Sequence, residues 1–494
     1  MRARSPNQGF LILLSLTLAL LFDAGVATAQ DVGSLEVLDE LEQQTQLSTQ
    51  LLTLEQETQI AEMPMPVPVG TARVSLLTMY SAQQGSWPFE PFVHNGLFRA
   101  IAGYQSHHPR ALVIQGGSIT LQQLFTRLAD EKVLSRHKDG YLLRYPLMIA
   151  PDAALLVENT ALYLYGYSGT ALINRGLLSL KNAHLESFSG NLAQSTDRPY
   201  RPFLINWAGS SVQIQGSELV GLGYNENLSR GVTSARSSQQ SATLAPVRVL
   251  ISDSTFEDMS VGLELNHALA RVSDSRFSQM QQYAMDLSDS RVLIRHNRID
   301  GVRNLSGIRL SGNTDGRIEE NQILRADKSA IEITALRGSV IVRNNQLGAG
   351  VGYGVLLREL GADAPLLIAD NFIGNTGLSA IDGANVHQLS ITGNSITGTP
   401  EYAISLRNAA PADGPVTVTG NHLWGVGKAM IRVQGIHYVV LGENQYQGNP
   451  LLQNLLIGDL LPHQASLLEM TLNRGQTVGL KMEHVTLLPL PAEG

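Results

Sequence analysis

The sequence predicts an all-β chain wound as a right-handed parallel β-helix, a solenoid of roughly 21 to 27 residues per coil with an N-terminal capping helix. Three observations carry this. Short runs of alternating apolar residues recur from about residue 140, and each ends in a small polar residue followed two positions later by an apolar one. The polar positions are Ser217, Ser254, Ser275, Asn297, Asn321, Asn345, Asn371, Asn394, Asn421 and Asn444, in steps of 37, 21, 22, 24, 24, 26, 23, 27 and 23 residues. A step in the low twenties marks a coil that cannot bury its own apolar face and must stack on its neighbours. Asn tolerates a left-handed bend, and its amide can bond to the Asn in the coils above and below, which gives an internal ladder. Each coil also holds at least two strands with no helix between them, as in "AMDLSD" followed by "RVLIRHN".

The elements follow in order. Residues 1–29 read as a signal peptide: Arg2 and Arg4 precede an apolar run from Phe10 to Phe22, and "ATA" supplies the small residues of a cleavage site. Residues 30–70 read as a helical or disordered arm and Pro-rich linker, in which 34–62 is a candidate docking segment. Residues 71–140 form an N-terminal cap. Within it Thr120 and Gln123 have capping-box spacing, and Leu121, Leu124, Phe125 and Leu128 share one helical face. The solenoid occupies 141–450, with C-terminal strands or a cap over 451–494. The polar stretch 224–246 reads as an insertion, either a lid that turns Arg230 and Arg236 toward a ligand or a surface decoration.

Composition excludes several classes of function. There is no cysteine, which removes thiol nucleophiles, disulfides and a lipid anchor on cysteine. The formal charge is −8, and −9 without the signal peptide, whose Arg2, Arg4 and Asp23 sum to +1. That balance argues against nucleic acid, which calls for a basic face. No second apolar run is long enough to span a membrane, so the expected compartment is the periplasm. The histidines show no metal-ligand spacing, and no metal or other cofactor is expected.

Alternation assigns the outward residues of the strand before each turn. They are Glu264 and Asn266, Asp286 and Ser288, Arg309 and Ser311, Glu332 and Thr334, Leu356 and Arg358, Asp382 and Ala384, Ser405 and Arg407, then Arg432 and Gln434. Stacked at roughly 4.8 Å, these form two exposed ladders on a flat wall, able to bind an extended polymer. Arg358, Arg407 and Arg432 read as the cations least encumbered by neighbouring acids, and a guanidinium meets a carboxylate bidentately. The bland alternative is a solvated charged face.

In "ALVIQGG", "YLLRYPLMI", "RPFLINWAGS", "LGY" (222 to 224), "FEDMSVG" and "YAMDLSD" the chain resembles the periplasmic mannuronan C-5 epimerases of alginate biosynthesis, from about residue 110 onward. The resemblance implies a β-helix acting on a polyuronate, with chemistry centred on a D-P-H-D motif whose His is the base. An Arg one coil later would meet the substrate carboxylate. Tyr283, Asp286 and Asp289 fall on the family's Tyr and two Asp, whereas Leu287 replaces the Pro, Ser288 replaces the His, and the Arg falls on or near Gly312. An unassisted hydroxyl does not remove a C5 proton. Candidate replacements are Tyr283 as acid and base, its pKa lowered by Arg291 or Arg309, and His267 as a substitute imidazole. His296 reads as structural. Two readings remain open: a protein that binds an anionic exopolysaccharide, with other export proteins as partners, or an active epimerase or lyase with a rearranged site.

Overall fold

A computed structural model describes residues 33–38, 63, 65–80, 87–93, 96–105, 109–190, 200–224, 226–412, 414–448 and 454–485. The proposed signal peptide and most of the proposed arm lie outside these residues. The fold is the right-handed parallel β-helix that the repeat predicts. Each coil contributes one strand to each of three sheets, which hold 15, 15 and 14 strands. In the coil read above, Tyr283–Ser288 lies in the first sheet, Arg291–Arg295 in the second and Arg298–Val302 in the third. Leu287, Val292, Ile294 and Ile299 point into one continuous core and are at most 1% exposed. Burying each such side chain contributes about 1.5–3 kcal/mol. This stacking adds no chain closure between distant residues, so one coil templates the next.

The asparagine ladder is present and unbroken. Nδ2 of Asn297, Asn321, Asn345, Asn371, Asn394 and Asn421 each donates to the Oδ1 of the next, at 2.9–3.0 Å. Ser217, Ser254 and Ser275 extend it upstream, each hydroxyl accepting from a backbone N–H one coil earlier. One detail differs from expectation. The left-handed residue is not the ladder residue but the one before it: Asp253, Asp274, His296, Glu320, Asn344, Asp370 and Glu443 have φ of 50–57°, and Gly216, Gly393 and Gly420 complete the set. The Asn side chain is thereby turned inward, where its amide also satisfies buried carbonyls such as that of Val342.

The solenoid extends beyond 141–450. Arg110–Gln115 and Gly117–Thr120 already belong to the first and second sheets, and Leu456–Gly458 adds a final strand to the first. The helix read from the capping box spans Leu121–Leu128, with both reciprocal Thr120–Gln123 bonds formed and Leu121 and Leu124 buried against the first coils. It stops after eight residues at Ala129, whose left-handed backbone caps it. At the far end Leu460 and Leu467 close the core. Within the stretch read as a helical arm, Ser34–Leu38 is instead a strand, antiparallel to Thr477–Lys481, because that edge offers unpaired backbone groups. The stretch 224–246 is likewise not all insertion: Val232–Ala235 is a full strand of the first sheet.

Candidate functional site

The outer face of the first sheet changes character along the axis. Its central outward column reads Met148, Ile173, Ile205, Thr233, Glu264, Asp286, Arg309, Glu332, Leu356, Asp382, Ser405 and Arg432, each in register with the next. The apolar beginning is covered: Phe92, Leu97 and Ile101 pack with Ile173, Ile205, Phe203 and Trp207 in a second core. The polar wall begins where this cover ends. The second outward column, Asn266, Ser288, Ser311, Thr334, Arg358, Ala384, Arg407 and Gln434, is also as the alternation placed it.

The wall is not the open charged surface that the sequence suggests. Asp286 points outward but is only 5% exposed, because Arg309 lies over it and donates from Nε (2.7 Å) and Nη2 (2.5 Å) to its two oxygens. The same guanidinium stacks 4.6 Å from the ring centroid of Tyr283. Glu264 pairs with Arg230 at 3.3 Å, so that arginine of the 224–246 stretch faces the wall. Burial raises the Glu264 pKa against the opposing effect of Arg230. Glu332 accepts from Ser306 and Lys328, both at 2.6 Å. Burial pushes the Tyr283 hydroxyl up to about 12 and outweighs Arg309, contrary to the expectation that an arginine would lower it.

His267 and Asp289 sit elsewhere. Both occupy the left-handed corner between the first and second sheets, at φ 55° and 47°, one coil apart. Asp289 accepts from the Asn313 backbone N–H at 2.9 Å and from Asn266 Nδ2 at 3.3 Å, which makes it a brace for the turn. Ser288 takes a 2.9 Å bond from Asn266 Nδ2. His267 is covered by Arg236, and burial together with that cation lowers its pKa, so the imidazole is neutral at pH 7. The His267 corner and Tyr283 lie at opposite edges of the sheet, six residues apart along an extended strand, on the order of 20 Å. The two do not form one site. Gly312 also lies in this corner (φ +66°), and a Cβ there would meet Asp289 Oδ1 at 2.4 Å. The arginine standing one coil on from Asp286 is Arg309.

The C-terminal half of the wall carries a second cluster. Arg358 and Arg407, read as unencumbered, both grip Asp382, at 2.8 Å and 3.0 Å, and leave it 3% exposed. Long arginines reach across a coil to a carboxylate that register alone does not place beside them. Arg432 does not join them: it bonds Gln434 Oε1 at 3.0 Å and lies 5.6 Å from the Tyr402 ring, as Lys428 does at 5.5 Å. Lys428 pairs with Glu401 at 2.7 Å. Tyr353, three residues before Leu356, sits by Arg358 as Tyr402 sits by Arg432. Sequence reading missed Tyr353, Tyr402, Glu401, Lys428 and Lys328; the recurrence of tyrosine three positions before the outward column was the available signal. Arg291 is not part of the wall. It lies on the second sheet, 3.9 Å from Asp315. His296 bridges Glu320 and, at 3.7 Å, Asp274 on the ladder corner. Among the described residues no three potential ligands gather as a metal site, and no helix is long and apolar enough to cross a membrane.

This geometry defines a parallel β-helix with a polar wall on one sheet, and residues 231–409 match the right handed beta helix region family. In sequence the chain is similar to the mannuronan C5-epimerases. It is 26% identical over 220 residues to mannuronan C5-epimerase of Pseudomonas aeruginosa, and 28% identical over 222 residues to mannuronan C5-epimerase AlgG of Azotobacter vinelandii. Each match takes in 42% of this chain, and the chain spans only 40 and 42% of those two relatives. The crystal structure of the periplasmic alginate epimerase AlgG superposes with a TM-score of 0.70 at 18% identity, over 80% of this chain and 98% of that one.

Proposed function

We propose that this chain is a periplasmic β-helix that binds an anionic, alginate-like polyuronate along the outer wall of its first sheet during the polymer's modification or export. The observation that carries this is the C-terminal half of the wall. Arg358, Arg407, Lys428 and Arg432 set four cations against the two carboxylates Asp382 and Glu401, beside the rings of Tyr353 and Tyr402. A chain of negative overall charge that concentrates cations on one flat, repeating face suits a linear polyanion. Binding then proceeds without the family's usual base. Ser288 stands at that position, and Tyr283, held near 12, is a poor proton acceptor at neutral pH.

A second reading, an active C-5 epimerase or lyase with a rearranged site, has one observation in its favour. The His267 backbone N–H bonds the Ser288 carbonyl, so the residue neighbours the position where the family's histidine would be, and burial and Arg236 lower its pKa, which favours the neutral imidazole a base requires.

Incubation with polymannuronate in deuterated water, followed by proton NMR at C5, separates the two. The expected result is affinity without exchange, weakened about tenfold by Arg432→Gln, the worth of one charge-assisted hydrogen bond. Exchange that disappears in His267→Ala overturns the binding reading and establishes the enzyme.

A further inference from the structure

We infer that the outer face of the third sheet, over its last six coils, binds an uncharged β-1,4-linked glycan of gluco configuration, whose rings stack on Phe372 and on the His422–Trp424 pair. This surface lies on a different side of the solenoid from the wall, and the inference does not depend on the proposed function. Two outward columns run along it, on either side of the core residues Ile323, Leu347, Ile373, Ile396 and Leu423. The first reads Gln322, Gln346, Phe372, Ser395, His422 and Gln445. The second reads Leu324, Gly348, Gly374 and Thr397, and Trp424 and Gln447 continue it.

Neither column holds an Asp, Glu, Lys or Arg. Upstream the same columns are charged, with Glu218, Arg276 and Arg298 in the first and Glu257 and Asp300 in the second. On the ladder side, the left-handed corner residues of these six coils include Glu320, Asp370 and Glu443 and no cation. At the other margin Arg325 is committed to Asp300 at 2.6 Å. A polyuronate is therefore repelled here, and an uncharged chain is the polymer whose electrostatics match the surface. Aromatic area takes the place of charge. Phe372 is 43% exposed, the one phenylalanine exposed to that extent among the described residues. Its ring lies over Gly374, where a Cβ would meet Cε1 at 3.1 Å, and a Cβ on Gly348 would meet Gly374 O at 1.8 Å. The second column thus stays level with the backbone beside the phenyl ring. His422 and Trp424 pack ring against ring at 4.4 Å and 35°. Aromatic surface left in the open on a polar face, adding nothing to the core, marks a contact site.

Spacing and configuration select the ligand. Only the coil of Ser395 separates Phe372 from His422, so the two aromatic platforms stand about 10 Å apart along the axis. Two sugars of an extended β-1,4-linked chain cover a distance of that scale, and alternate rings then fall on the two platforms. The gluco configuration sets the ring substituents equatorial, which leaves axial C–H groups to face the aromatic planes. Gln346, Ser395, Gln445 and Gln447 set amides and a hydroxyl beside the platforms for the sugar hydroxyls, and Gln322 donates to Gln346 at 2.7 Å, which holds that amide in line.

The test follows tryptophan emission and titration calorimetry of the full chain. Trp424 is one of three tryptophans, and the other two, Trp87 and Trp207, pack against each other at 4.8 Å on the first sheet. Cellohexaose and chitohexaose are the probes, with hexamannuronate and maltohexaose, whose α-linkages coil the chain, as controls. A saturable change in emission is expected with at least one of the two probes, the tighter of which identifies the sugar, and none with maltohexaose. Phe372→Ala, at an exposed position, is expected to weaken probe binding about tenfold. Trp424→Phe, which keeps a ring, is expected to lose the emission change and to bind within about threefold of wild type. Hexamannuronate affinity is expected to be equal in all three proteins. Failure of both probes to bind wild type overturns the inference and leaves the proposed function standing. Full probe affinity in Phe372→Ala, or an emission change that persists in Trp424→Phe, places the glycan elsewhere and also overturns it. Hexamannuronate affinity lost in Phe372→Ala overturns the uncharged ligand. A dimer in sedimentation that Phe372→Ala dissolves overturns the glycan in favour of a second copy of this chain.

Discussion

Arg309 and Asp286 face each other across one coil and are joined by two parallel hydrogen bonds, with the Asp286 carboxylate almost wholly shielded from solvent. Removal of the cation alone strands a buried charge beside Glu264. Arg309→Met is expected to cost about 3 kcal/mol in urea unfolding, whereas the paired change Asp286→Leu with Arg309→Met stays within about 1 kcal/mol of wild type. Equal losses in the two variants would show that the pair is not a buried ion pair in energetic terms.

Asn371 sits mid-ladder and engages both neighbours. Its Nδ2 donates to Val342 O and Asn394 Oδ1, and its Oδ1 accepts from Asn345. Asn371→Ala leaves buried donors and acceptors unpaired, for an expected loss of about 4 kcal/mol. Hydrogen exchange is expected to rise first at the backbone amide of Asn345, which donates to Asn371 Oδ1. A uniform rise along the solenoid would contradict a local ladder role.

Gly312 combines a left-handed backbone with no room for a Cβ beside Asp289. Gly312→Ala is expected to destabilise by about 2 kcal/mol. The double variant Gly312→Ala with Asp289→Ala should recover part of that loss by removing the clash, and thermal unfolding reports both.

His184 on the third sheet bonds Glu186 at 2.8 Å and Glu218 at 2.9 Å. Burial works to lower its pKa, but the two carboxylates outweigh this and raise it. Since the folded value lies above the unfolded value of about 6.5, the stabilisation is complete below that pH and is lost as pH rises through the folded pKa. His184→Gln is therefore expected to cost more at pH 5.5 than at pH 9, read from urea midpoints.

His267 shifts the other way, its pKa lowered by burial and by Arg236. Arg236→Gln is expected to raise it, visible as a displaced imidazole titration by NMR, and an unmoved titration would exclude contact between the two in solution.

The sequence made the coil length, the ladder and both outward columns legible because each depends on residues a fixed distance apart within one coil. Glu264, Asp286, Arg309 and Asp382 all stand where simple alternation puts them. What alternation does not carry is reach. Arg358 and Arg407 converge on Asp382 from different coils, and Arg230 comes from a stretch read as an insertion, so the exposed wall proved largely self-paired. Arg291 was near Tyr283 in sequence but beyond a corner in space, and the left-handed corner residue was masked by the stronger turn preference of the Asn beside it.

The pairing of Ser34–Leu38 with Thr477–Lys481 ties the earliest described strand to one of the latest. Because chain synthesis runs from the N-terminus, the early strand has no partner until nearly the whole solenoid has been made. Closing so long a loop adds little to the entropic cost, which grows only with the logarithm of length. Timing is the real constraint: the raw edge that invites aggregation is sealed last, and a chain cut short before Thr477 would leave Ser34–Leu38 without a partner and Tyr438–Gly442 as an open edge.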